Sequence, residues 1–140
     1  MKKSTRTATL LACVTGALVL SGCAGAQDHG SARAPATAGP TATTTVAPAD
    51  AARVAERYKQ HGGAREVYGI GIQKGTGPGG VPLLTVWTHD ANDSAQAFER
   101  LKGSVTGFLE REEELSLSRG YLLDVFGPAG SLQHRLDARP

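Results

Sequence analysis

The chain is short of the residues on which much protein chemistry depends. It has two cysteines, Cys13 and Cys23, and none beyond residue 23. Whatever folds downstream therefore has no disulfide, no thiolate nucleophile and no cysteine metal site, and packing alone must hold it. Aromatics are scarce, with three Tyr, three Phe and one Trp, few enough for one core to use them all. No apolar stretch approaches the roughly 20 residues a helix needs to cross a bilayer; Leu10 to Leu20 has eleven. Nor is there a Gly-x-Ser-x-Gly elbow, a His-x-x-x-His pair or a His-Glu-x-x-His run. Those spacings would place a serine nucleophile on a strand-to-helix bend, or two imidazoles on one helix face.

What is present begins with a basic head, Lys2, Lys3 and Arg6, followed by the apolar stretch and then by small residues. This is the layout of an export signal. The residues that close it, Leu20-Ser21-Gly22-Cys23, resemble the lipobox of bacterial lipoproteins at all four positions. The resemblance implies cleavage between Gly22 and Cys23, a signal peptide over residues 1–22, and a diacylglyceryl group on the Cys23 sulfur. The implied partner is the membrane, reached through diacylglyceryl-Cys23 on the extracytoplasmic face. Two acyl chains suffice for stable attachment, whereas one gives a binding constant on the order of 10⁴ M⁻¹. Residue 24 is Ala rather than Asp, so the resemblance supplies no inner-membrane retention signal. It covers about the first two dozen residues and says nothing of the domain beyond. The alternative is an ordinary secretory signal cut within "SGCAGA", which leaves a soluble exported protein.

Removing the signal changes the charge. The formal +2 includes Lys2, Lys3 and Arg6; without them twelve basic side chains face thirteen acidic ones, about −1. The apparent basicity is mostly targeting, and no nucleic-acid partner is expected, since one would call for a basic stripe in the folded part.

Residues 23–49 combine the lipidated cysteine with an Ala/Thr/Pro/Gly segment nearly free of large apolar residues. Such a segment buries too little surface to offset its ordering entropy and reads as a disordered tether. As a flexible coil of about 25 residues it would span on the order of 25 to 30 Å. Residues 50–140 form the periodic part, enough for a single domain with one core.

Asp50 is in position to cap a helix through "AARVAERYKQH", which Gly62-Gly63 stops. "REVYGIGIQ" alternates, with Tyr68, Ile70 and Ile72 on one face and Val67, Gly69 and Gly71 on the other, and "VPLLTVWTH" reads as the returning strand of a hairpin. A second helix carries Phe98, Leu101, Val105, Phe108 and Leu109 on one stripe, with Asp93 and Gln96 resembling a capping box. Gly103 and Gly107 share a side, where a close crossing of the first helix would offset their low helix propensity. "YLLDVF" and "LQHRL" flank the turn "GPAGS". The expected fold is α+β: a small two-layer domain in α-β-β-α-β-β order, with a four-stranded, mainly antiparallel sheet and both helices on one face. Strand order is left open by the pattern.

Candidate chemistry is thin. In "GIGIQKGTGPGG" Lys74 precedes Gly75 and a strand follows, so neither a Walker loop nor a dinucleotide fingerprint is formed and a hairpin loop is the simpler reading. Gly69 and Gly71 leave one sheet face bare at alternate positions, where a ligand or another backbone could approach. Together with Trp87, His89 and His134 they make up the candidate ligand or partner face; Trp87, Tyr68 and Tyr121 serve equally well as core. No cofactor and no metal site is expected. "EREEE" at 110–114 reads as solvated helix surface rather than a docking site, unfavourable to the helix dipole and offset locally by Arg111 and Arg119.

Three functional readings follow. The first is a non-catalytic binding or accessory module of the cell envelope, held by its lipid and meeting an envelope protein or small ligand. The second is a small hydrolase or metal-dependent enzyme using His89, Asp90 and His134, which would require those side chains to converge in one cleft. The third is an inhibitor-like or propeptide-like domain that offers the edge of its last strand, ending "HRLDARP", to a protease.

Overall fold

The computed structural model describes residues 39–140. The export signal, the Leu20–Cys23 motif and residues 24–38 of the tether lie outside the described residues. The elements follow the order α1 (Ala49–Gln60), β1 (Val67–Gln73), β2 (Leu83–Thr88), α2 (Ala95–Glu112), β3 (Leu122–Phe126) and β4 (Leu132–Asp137), with a short 3₁₀ turn at Pro78–Gly80 between β1 and β2. This is the expected α-β-β-α-β-β succession and an α+β fold.

The sheet runs β1-β2-β3-β4. The outer pairs are antiparallel hairpins, and the central pair, β2 with β3, is parallel. Parallel neighbours cannot be joined by a tight turn, so the long helix α2 serves as the crossover. Between β3 and β4, Gly127 and Gly130 close a turn with Pro128 at its second position: the Gly130 amide donates to Gly127 O at 2.9 Å, and Gly130 has φ +71°.

Both helix starts differ in detail from the sequence reading. The N-cap of α1 is Pro48, with no side-chain cap, and Asp50 sits inside the first turn, where its charge still complements the helix dipole. For α2 the cap is Ser94, whose Oγ accepts from the Ala97 amide at 3.3 Å. Asp93 lies one residue too early for this role, because Asn92 Oδ1 already accepts from the Ser94 amide at 3.1 Å and fixes the register. The end of α1 is as expected. Gly62 takes φ +84°, and the Gly63 and Gly62 amides donate back to Tyr58 O and Lys59 O, the Schellman pairing that favours glycine.

The strand faces also differ from simple alternation. The β1/β2 register shifts between Val67 and Gly69, a bulge that puts two residues of one strand opposite one of the other. Val67 therefore joins Ile70 and Ile72 on the helix side, and Tyr68 packs on the opposite side with Trp87 and Phe126. A period-2 reading cannot register an inserted residue.

The main core lies between the helices and one sheet face. Ala55 and Tyr58 of α1 and Val105, Phe108 and Leu109 of α2 meet Val67, Ile70, Leu84, Val86, Leu123 and Val125 of the strands. The expected stripe of α2 is the buried one, with Phe98 and Leu101 packed at its margin. The helices meet at Ser104 and Phe108: Tyr58 and Phe108 stand edge to face with centroids 5.4 Å apart, and Tyr58 OH is 2.8 Å from Ser104 Oγ. No neighbour lies within 4 Å of a Cβ placed on Gly103, and one on Gly107 would meet only Arg111 of the same helix, so the expected crossing at the glycines is displaced. Gly103→Ala should accordingly raise stability by about 0.5–1 kcal/mol, because nothing opposes the gain in helix propensity. A shift of the urea midpoint at constant slope is the measurement; an unchanged or lower midpoint would contradict the open site.

The acidic run at 110–114 is used between helices. Arg57 of α1 makes a forked ion pair with Glu113, at 2.7 and 2.9 Å, and His61 Nδ1 lies 3.6 Å from Glu112. Arg57 thus offsets the acidic run from across the helix interface. With the Arg57 side chain 47 % exposed, the pair contributes only on the order of 0.5 kcal/mol.

Residues 39–48, included in the tether by composition, lie against the sheet. The Leu132 amide donates to Thr41 O at 2.9 Å, the Thr43 amide donates to Gly130 O at 2.8 Å, and Ala47 packs with the Trp87 cluster. Small residues carry little hydropathy, so the pattern does not reveal contacts made mainly through backbone.

Candidate functional site

The sheet has polar features on both faces. On the helix side a cleft of about 240 Å³ opens at the carboxyl ends of β2 and β3. This is the kind of position where α/β sheets commonly seat ligands. Its wall is built by a run of alternate polar residues carrying the chain from β2 into α2. Thr88 Oγ1 accepts from the Asp90 amide at 3.0 Å, Asp90 Oδ1 from the Asn92 amide at 2.9 Å, and Asn92 Oδ1 from Ser94. Short side chains that bond the backbone two residues ahead make such connections rigid. Gln133 of β4 reaches across and donates to Asp90 O at 2.9 Å.

The Tyr58–Ser104 pair also lines the cleft, and the His134 ring is stacked on Phe98 with centroids 4.4 Å apart. His134 Nε2 is buried and has no hydrogen-bond partner. A buried polar atom without a partner costs roughly 1–3 kcal/mol, which a ligand group could relieve. Arg100 lines the same cleft.

The residues singled out by the sequence do not assemble into one site. Gly69 and Gly71 come together with Trp87 on the face away from the main core. A Cβ placed on Gly69 would fall 2.9 Å from Trp87 Cε3 and collide with Ala47 Cβ, and one on Gly71 would fall 3.2 Å from Trp87 Cζ3. The bare strip is thus filled by the chain's own indole and by residue 47. His89 stacks on Tyr68, centroids 4.1 Å apart, on this same side, whereas His134 lies in the cleft on the helix side. Asp90 shares the cleft with His134 and His89 does not. The convergence required of a His89/Asp90/His134 centre is absent. Among the described residues no group of three His, Cys, Asp or Glu side chains could hold a metal ion. Cys23 and Gly22 lie outside the described residues.

On the Trp87 side a groove of about 470 Å³ runs over Leu83 and Leu122, between Gly39-Pro40 and Gly77-Pro78. At its floor Arg135 makes a forked ion pair with Asp124, at 2.7 and 2.8 Å, and donates further to Gly39 O at 3.1 Å and Pro40 O at 2.7 Å. The hydrogen bonds that Arg135 donates to Asp124 raise the Arg135 pKa above its ordinary value, against the opposing effect of burial. Arg139 pairs likewise with Asp137 at 2.8 Å. Burial pushes the Tyr68 and Tyr121 phenols above their ordinary value of 10.0. For Tyr68 the burial includes the hydroxyl oxygen, which has no partner.

Sequence reasoning missed Thr88, Ser104, Gln133 and the Asp124–Arg135 pair. The alternation Thr88, Asp90, Asn92, Ser94 was a usable signal for the rigid wall. The Asp124–Arg135 pair depends on the β3/β4 register, in which these residues are direct partners. No family model, no curated protein and no solved structure matches the chain.

Proposed function

We propose that this chain is a lipid-anchored, extracytoplasmic binding module of the cell envelope. The observation that carries the reading is the Leu20-Ser21-Gly22-Cys23 motif, placed behind a basic head and an eleven-residue apolar core. Its spacing fits diacylglyceryl transfer to Cys23 and cleavage after Gly22. The helix-side cleft supports a binding role for the domain, because it joins a rigid polar wall to the aromatic pair Phe98–His134 and an unpartnered ring nitrogen.

The anchor is tested with Cys23→Ser. The variant should lose fatty-acid labelling and move from the membrane fraction to the soluble fraction. Unchanged labelling would exclude Cys23 as the acceptor, and retained membrane association without labelling would show that another part of the chain makes the attachment.

A further inference from the structure

The helix-side cleft carries charge of both signs that the folded chain leaves unpaired. Arg100 of α2 lines it together with Asp90, in the loop after β2, and Glu66, immediately before β1. Among the described residues none of the three is in an ion pair. Asp90 is nevertheless fixed. Its Oδ1 accepts from the Asn92 amide at 2.9 Å and its own amide donates to Thr88 Oγ1 at 3.0 Å, which leaves Oδ2 without a partner. A carboxylate held in this way meets a ligand without first losing side-chain freedom. On α2, Arg100 stands one turn before Ser104 on the same face. The Ser104–Tyr58 hydroxyl pair keeps one O–H proton beyond the one it shares. His134 Nε2 adds a buried nitrogen with no partner.

Resting on the binding role proposed for the cleft, we infer that its ligand is a zwitterion, a free amino acid with an apolar side chain. The ligand carboxylate meets Arg100, and its ammonium meets Asp90 and Glu66. A simple anion would bring like charge against the two carboxylates, and a simple cation would bring it against Arg100, both unfavourable. A molecule with both charges satisfies the three side chains at once. The hydroxyl pair and His134 Nε2 supply neutral hydrogen bonds, the latter where water competes least. Val67, Leu101 and Val125, from the main core and its margin, also line the cleft and offer contact to an apolar side chain. The size agrees. About 240 Å³ is the volume of about eight waters, which admits a molecule of about eight to ten non-hydrogen atoms.

The test titrates the full-length chain with L-leucine and with two probes of the same carbon skeleton. 4-Methylpentanoate lacks the ammonium, and 3-methylbutylamine lacks the carboxylate. Binding is followed by calorimetry and by the nuclear magnetic resonance signals of the His134 ring nitrogens. Leucine should bind saturably and shift those signals, and each single-charge probe should bind about tenfold more weakly or worse. Arg100→Ala should weaken leucine about tenfold and leave 3-methylbutylamine no weaker; the side chain is exposed and unpaired, so the variant should fold as the parent does. Asp90→Asn keeps the oxygen that accepts from the Asn92 amide, and should weaken leucine while leaving 4-methylpentanoate no weaker. A single-charge probe that binds as tightly as leucine would overturn the zwitterion assignment and leave the cleft its binding role. If no probe shifts the His134 ring, the assignment and the binding role fall together. Leucine binding without a His134 shift would place the site elsewhere and overturn the inference as well.

Discussion

Gly69→Val should destabilise the domain by about 2–3 kcal/mol and shift the Trp87 emission to the red. The position lies in β1, where valine is otherwise well suited to a strand, so the expected loss runs against propensity and comes from space alone. The first added carbon would collide with Ala47 Cβ and fall 2.9 Å from Trp87 Cε3, and valine adds two more. Overpacking a filled site typically costs 1–3 kcal/mol, and here either the indole or residues 39–47 must move. The effect should be graded, with Gly69→Ala milder and Gly71→Ala milder still, because the corresponding Cβ at residue 71 clears Trp87 Cζ3 by 3.2 Å. Denaturant midpoints and emission maxima read both consequences. A Gly69→Val chain with unaltered midpoint and emission would show that the indole does not lie over the glycines.

A larger loss, about 3–5 kcal/mol, is expected for Phe108→Ala. Phe108 is 3 % exposed and lies in the main core, with its ring 5.4 Å from Tyr58 and 5.8 Å from His61. Deleting a buried aromatic removes its transfer free energy and leaves a cavity that the fixed helices fill only in part. A domain of about 100 residues has roughly 5–15 kcal/mol of stability in all, so the variant should lie near its unfolding threshold at 37 °C. The loss should extend to the cleft, because the ring braces Tyr58, whose hydroxyl pairs with Ser104 at 2.8 Å on the cleft wall. Phe108→Leu should recover most of the stability while altering the Tyr58 environment, visible in near-ultraviolet circular dichroism. A midpoint for Phe108→Ala within about 1 kcal/mol of the parent would show that the helices do not meet at this ring.

Much of the fold could be read from local pattern because the forces involved are local. The stripe of α2, the Gly62-Gly63 stop and the Gly127–Gly130 turn each follow from a few neighbouring residues and their backbone preferences. The candidate sites could be read less well. The paired glycines of β1 were correctly marked as a place of close approach, but what approaches comes from two other parts of the chain, Trp87 in β2 and Ala47 before α1. His89 and His134 carry the same chemistry, and only the sheet places them on opposite sides.

The sequence by itself determined the element order, the apolar stripes and the lack of any cysteine after residue 23, since periodicity, turn chemistry and composition are properties of the chain taken in order. The tertiary structure alone decided the parallel pairing of β2 with β3, the bulge that exchanges the roles of Val67 and Tyr68, and the Asp124–Arg135 pair. It also decided that residues 39–48 lie on the sheet rather than lead up to it. These features depend on register and on contacts between residues far apart in sequence, and a one-residue slip in a strand reverses every face. The segment before α1 shows the difference most clearly: its small, weakly hydropathic residues read as a spacer, and its backbone is what the folded domain binds.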